Sequence, residues 1–99
     1  MDYPQVVISL PVKVRIEVIE ILGTGECSMG QKVGEVYNYP EDRGKMCPSS
    51  FYSLIPWIMV MQSGGKYSFF KDDGNSVTLG CPDYKHQVVY KVTRETVDD

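Results

Sequence analysis

The sequence predicts a small α+β domain, a mostly antiparallel sheet in the order strand, strand, helix, strand, strand, with one kinked helix packed on one face. Three observations predict it. Val12, Val14, Ile16 and Val18 alternate with Lys13, Arg15 and Glu17, the period of a strand with one buried face. Phe51, Leu54, Ile55, Ile58 and Met61 recur at helical spacing, which puts them on one face of a helix. Between and after these segments, Gly and Pro punctuate short runs of β-branched and aromatic residues. With 99 residues, 42% of them hydrophobic and 23% charged, the chain fits a single domain (1–99, core 12–93) with short flexible termini.

The elements follow in order. The alternation of the first strand loses phase at Ile19-Glu20-Ile21-Leu22, which predicts a bulge before Gly23-Thr24-Gly25 ends it. Val33 to Tyr39 reads as a second strand stopped by Pro40. After the polar connection Glu41 to Lys45, Pro48 occupies the position favoured at the start of a helix. Pro56 inside the stripe predicts a kink, and Gly64-Gly65 a stop. Trp57, Met59 and Val60 make the second half of the helix apolar nearly all round, so the Trp57/Val60 region is a candidate for self-association as a homodimer. Asp72-Asp73-Gly74-Asn75 reads as a turn into a third strand, Ser76 to Leu79, that ends at Cys81. The last strand is Val88 to Thr93, followed by an acidic tail, Glu95 to Asp99, expected to fray.

Composition excludes several function classes. A net charge of −3 with no Lys/Arg cluster gives no attraction to a phosphate backbone, so no nucleic-acid partner is expected. The longest apolar run, Leu54 to Met61, contains Pro56 and is too short for a membrane span. The start, Met1-Asp2-Tyr3-Pro4, lacks the features of a secretory leader, and a cytoplasmic location is expected. In that reducing compartment three cysteines argue for free thiols or metal ligands over a disulfide framework.

Those cysteines carry the candidate chemistry. Each lies in a turn context: Cys27 between Gly25 and Gly30, Cys47 before Pro48, and Cys81 before Pro82. Cys47 precedes a helix N-terminus, whose free N–H groups and partial positive charge favour a thiolate, making it the candidate nucleophile. Cys47-Pro48-Ser49-Ser50 also has the Cys-x-x-Ser spacing of monothiol redox proteins, although the polar residues before it are not the buried strand of a thioredoxin-like fold. A second reading takes Cys27, Cys47 and Cys81 together as soft ligands for zinc or iron, with His86 completing a Cys3His set; no Cys-x-x-Cys knuckle supports it. His86 alone reads as an exposed turn residue, and Met29 as a loop methionine. Asp72, Asp73 and Asn75 lack the later Glu of a calcium loop, and the glycines lack the Lys-Ser/Thr of a phosphate loop. With a single His, no Ser-His-acid set can be drawn. The seven tyrosines, Tyr90 among them, are expected to straddle core and solvent.

The order Cys27-Ser28-Met29-Gly30, then Cys47-Pro48-Ser49-Ser50-Phe51, Pro56, Gly64-Gly65, and Cys81-Pro82-Asp83 with Val88-Val89-Tyr90 resembles a family of small uncharacterised proteins, mainly from anaerobic bacteria and archaea. That family is built on a Cys-x-x-Gly loop and two Cys-Pro motifs, and the resemblance spans Val12 to Thr93. It implies a habitat but no established reaction. The family's pattern has His after the loop glycine, where this chain has Gln31, which removes one candidate fourth ligand. Two function classes stand at this point: metal binding or thiol redox through the three cysteines, and a non-catalytic homo-oligomeric interaction module.

Overall fold

The computed structural model describes residues 12–96. Five elements follow in the predicted order: β1 (Val12–Ile21), β2 (Val36–Tyr39), α1 (Pro48–Gln62), β3 (Ser76–Gly80) and β4 (Val88–Thr96). The strands form one antiparallel sheet in the order β2-β1-β4-β3. The helix lies on one face, carrying the chain from the β2 edge to the β3 edge. The expected flexibility of the N-terminus and of the last three residues falls outside the described residues.

Alternation in β1 does what its period dictates. Val14, Ile16 and Val18 are fully or almost fully buried beneath α1, and the flanking charged residues turn away. The anticipated bulge falls between Val18 and Glu20 opposite β4. It slips the phase by one residue, so that Ile21 faces inward and Ile19 is left exposed. In β4 the inward set is Val88, Tyr90 and Val92, each with no exposed surface. Against these strands α1 buries Leu54, Ile58 and Met61, with Phe51 and Ile55 at the margin of the stripe.

The helix runs through Pro56 as one element. Pro56 is on the exposed side, one turn after the exposed Tyr52, so the carbonyl that loses its donor can be hydrated. Gly64, at φ +85°, closes the helix: its N–H bonds the Met61 carbonyl at 3.1 Å, and the Gly65 N–H bonds the Val60 carbonyl at 2.9 Å. Beyond it, Tyr67, Phe69 and Phe70 fold back around Trp57 with ring centroids 5.5 to 6.3 Å from it. The chain's own segment thus covers much of the Trp57/Val60 region, and the exposed apolar surface there is Met59, Tyr67 and Phe69.

Two strand boundaries and one burial differ from expectation. β2 starts at Val36 instead of Val33, because Gly34 at φ +96° breaks the extended run and leaves Val33 exposed. β4 continues through Glu95, which pairs with Lys13, so the first part of the acidic tail is strand. Tyr90 does not straddle core and solvent but is wholly buried.

Arg94 ties the helix end to the sheet. Its guanidinium donates to the carbonyls of Met61 (2.9 Å), Gly65 (2.7 Å) and Gly74 (2.7 Å), the first belonging to the last turn of α1. A cation there also complements the negative end of the helix dipole. The Gly74 carbonyl lies in the turn where Asp72, Asp73 and Gly74 all have positive φ, which holds Lys71 opposite Ser76. Replacing Arg94 by Ala leaves those carbonyls without their shared donor. We expect Arg94→Ala to lower unfolding free energy by about 2 kcal/mol, and Arg94→Lys to recover less than half, measured by urea denaturation at unchanged slope.

Candidate functional site: a three-thiol cleft

The antiparallel β1–β4 pair places the exit of β1 beside the entrance of β4, with Ile21 opposite Val88. Two loops leave that end. The first, after Ile21, carries Cys27; the second, Cys81 to Gln87, closes the β3–β4 hairpin. The helix starts at the same end, since Gln62 at its other terminus reaches the Val12 carbonyl, where β1 begins. Consequently all three cysteines and His86 line one cleft of about 350 Å³, together with Ser50 and Asp83.

Cys47 is the N-cap of α1, with Pro48 following and no side-chain cap bond or acidic residue in the first turn. Its carbonyl accepts the first helical bond, from the Phe51 N–H at 2.9 Å. Since Pro48 has no N–H, Ser49 and Ser50 are the first residues offering orphan donors at this end. The residues before Cys47 form turns, which agrees with the absence of a thioredoxin-like strand there. Cys27 and Cys81 each accept a backbone hydrogen bond on sulfur. The Met29 N–H reaches the Cys27 Sγ at 3.4 Å, and the Val88 N–H reaches the Cys81 Sγ at 3.2 Å. Cys81 is buried, Cys27 and Cys47 are half-buried, and all three are free thiols.

The second loop is organised by Asp83. Its Oδ1 accepts the Lys85 N–H at 2.9 Å and the His86 N–H at 3.1 Å, and these two donors hold its carboxyl below the usual value of 3.8. Gln87 adds a bond from its Nε2 to the Cys81 carbonyl at 2.8 Å. His86 is therefore more constrained than an ordinary exposed turn residue. It is half-buried, and its Nδ1 lies 3.2 Å from Thr24 Oγ1 of the first loop. Gly23, at φ +74°, lets the two loops touch, because any Cβ there would collide with the Lys85 carbonyl.

Beneath the cleft lies a buried polar column that sequence reasoning missed. Gln31 Nε2 donates to the Tyr90 hydroxyl at 2.7 Å, which donates to Ser50 Oγ at 2.7 Å. Gln31 faces a neighbouring cavity that shares Cys27 and does not line the three-thiol cleft. Burial pushes the Tyr90 phenol up to about 12, against the lowering effect of its two side-chain bonds; Cys81 and Cys47 push in the same direction as burial. The signal that could have found it is parity: Tyr90 shares the inward phase of Val88 and Val92.

Among the described residues, no three His, Cys, Asp or Glu side chains are disposed at present to hold a metal ion. No helix among them is long and apolar enough to cross a membrane. No family model matches this chain, and neither a curated protein nor a solved structure shows significant similarity to it.

Two outcomes check this geometry. The Asp83 carboxyl, being lowered on folding, stabilises its turn fully above 3.8 and loses that contribution as pH falls below it. The Lys85 and His86 amide resonances should therefore move together in one NMR titration whose midpoint lies below 3.8. Gly23→Ala should separate the loops, costing about 1–3 kcal/mol in thermal or urea unfolding, and should raise the accessibility of His86 to diethyl pyrocarbonate.

Proposed function

We propose that the cleft is a thiolate site for a thiophilic metal ion, zinc or iron, bound through Cys27, Cys47 and Cys81 with His86 at its edge. One observation carries the reading: three segments remote in sequence each contribute one cysteine to the lining of one cavity. The surroundings of the sulfurs support it. Backbone N–H groups point at the sulfurs of Cys27 and Cys81, and Cys47 occupies a helix N-terminus, an electropositive setting that favours a thiolate. Three protein sulfurs leave a fourth position for His86 or for an exchangeable ligand. The resemblance to a family of anaerobes, with its cysteine-glycine loop and two Cys-Pro motifs, fits the same reading.

Elemental analysis of chain purified without oxygen tests this directly. About one zinc or iron per chain is expected, with metal–sulfur distances near 2.3 Å by X-ray absorption, and serine substitution of any one cysteine should reduce the content severalfold. Absence of metal, together with three thiols that alkylate independently, overturns it.

A second reading, a homo-oligomeric interaction module, is favoured by Tyr67 and Phe69, whose exposures of 48% and 54% put two large aromatic side chains in water around Trp57. Light scattering decides it: a concentration-dependent dimer that Phe69→Ser dissociates supports the module, and a monomer at high concentration rejects it.

A further inference from the structure

The two edges of the sheet are unequal. In an antiparallel ladder, alternate residues turn their N–H and C=O away from the paired neighbour. The bond from the Val18 N–H to the Glu35 carbonyl (2.9 Å) sets the phase of the β1–β2 ladder, so Val36 and Asn38 point outward from β2. Asn38 is closed on that side: its N–H donates to Asp42 Oδ2 at 2.8 Å, its carbonyl accepts the Asp42 N–H at 2.6 Å, and Pro40 follows at once. At the other edge, the bonds from the Arg94 N–H to the Asn75 carbonyl (2.7 Å) and from the Cys81 N–H to the Val88 carbonyl (2.9 Å) set the phase of β3. Ser76, Thr78 and Gly80 therefore point outward. Lys71 takes both outward groups of Ser76, at 3.0 and 2.8 Å. Thr78 and Gly80 keep theirs without a partner among the described residues. The strand Ser76-Val77-Thr78-Leu79-Gly80 carries neither a charge nor a proline, the devices that keep a free edge from pairing.

We propose that this edge pairs with the same edge of a second copy of the chain, antiparallel about a two-fold axis at Leu79. The inference rests on the reading of the chain as a homo-oligomeric module and names its interface. A two-fold contact must be self-complementary, and the open groups of β3 are. With the two Leu79 residues opposite each other, Thr78 meets Gly80 of the partner subunit and Gly80 meets Thr78 of the partner subunit. Each such pair exchanges both its hydrogen bonds, so every open group of Thr78 and Gly80 is used. The neighbouring registers fail. Centring on Thr78 would set Gly80 against Ser76, whose outward groups Lys71 already holds, and centring on Gly80 would set Thr78 against Pro82, which has no N–H. At the axis, the half-buried Leu79 occupies a non-hydrogen-bonded position, where facing side chains approach most closely. Pro82 lies in a bend, so the ladder ends before it would meet the partner's Lys71. The segment carrying the exposed Tyr67 and Phe69 reaches this same edge at the Lys71–Ser76 bridge, adding apolar surface beside a short ladder.

Analytical ultracentrifugation of the full chain over a range of concentrations tests this, together with amide hydrogen exchange read by NMR. A dimer is expected, and the Thr78 and Gly80 amides should exchange more slowly as concentration rises while the Val36 amide does not change. Thr78→Pro removes an outward N–H at a position where a sheet edge tolerates proline; it should weaken association about tenfold or more with the near-ultraviolet circular dichroism of the fold retained. Leu79→Lys and Leu79→Glu each place like charges at the axis, so each alone should be monomeric. Mixed together, they should associate as a heterodimer. A dimer that Thr78→Pro leaves intact, with the mixed Leu79 variants no more associated than either alone, overturns the proposal while the oligomeric reading stands. A monomer at high concentration defeats both, and slow exchange at Thr78 and Gly80 in that monomer would assign the edge to another segment of the same chain. Should Thr78→Pro fail to fold, exchange on the unaltered chain decides: rates at Thr78 and Gly80 that do not depend on concentration overturn the proposal.

Discussion

The constraint on which the rest depends is the antiparallel pairing of β1 with β4, joined along nearly their whole length from Val12–Thr96 to Ile21–Val88. First and last strands in the described chain are thereby neighbours at the centre of the sheet, and the other two strands are attached to them as hairpin partners. This pairing is long-range and closes a loop of most of the domain, so its entropic cost is met by burying both inward faces beneath one helix. The bulge after Val18 is part of the same arrangement. It corrects the phase so that Ile21, the last residue before the cysteine loop, still anchors in the core.

From that pairing the cleft follows without any local metal-binding motif. A Cys-x-x-Cys knuckle places two cysteines side by side through a few residues of chain; here the sheet and the helix bring three cysteines from distant segments to the lining of one cavity. Each loop is braced in its own way. Leu22 donates its N–H to the Gln87 carbonyl at 2.9 Å, joining the two loops at their base, and Thr24 meets His86 farther out. Between the loops and the hydrophobic layer sits the Tyr90 hydroxyl, a polar group held where an aliphatic side chain would have cost less desolvation. Its two hydrogen bonds offset that burial, and they reach one residue from the first loop and one from the helix. Tyr90 therefore registers the Gln31 segment against the start of α1.

Much of the fold was legible because it depends on local period. The alternation from Val12 to Val18, the loss of phase at Ile19, the helix start at Pro48 and the stop at Gly64-Gly65 are each decided by a few adjacent residues. The errors arise where a distant partner decides. Val33 has the composition of a strand, but the left-handed Gly34 and the turn from Lys32 to Glu35 end the pairing first. Glu95 is acidic and near the chain end, yet Lys13 across the sheet extends the strand through it. The site was legible only as three suggestive turn contexts. That Cys27, Cys47 and Cys81 share one cavity depends on topology, and that Ser50 and Gln31 meet through Tyr90 depends on side chains from three elements.

The buried position of Gln31 gains a physical sense from this arrangement. A residue here is more than nine-tenths buried and donates to the Tyr90 oxygen, outside the lining of the three-thiol cleft, so its side chain reaches the start of α1 through Tyr90 and Ser50. A neutral histidine could donate one ring N–H to the same phenol and conserve the polarity of the column, with its other nitrogen left as the unpaired acceptor that the Gln31 Oε1 now is. Either residue turns the phenolic proton toward Ser50. An acidic residue would reverse the column, drawing the phenolic proton to itself and the Ser50 proton to Tyr90. The requirement at position 31 is thus for a buried donor of the right reach, and glutamine meets it without being a ligand.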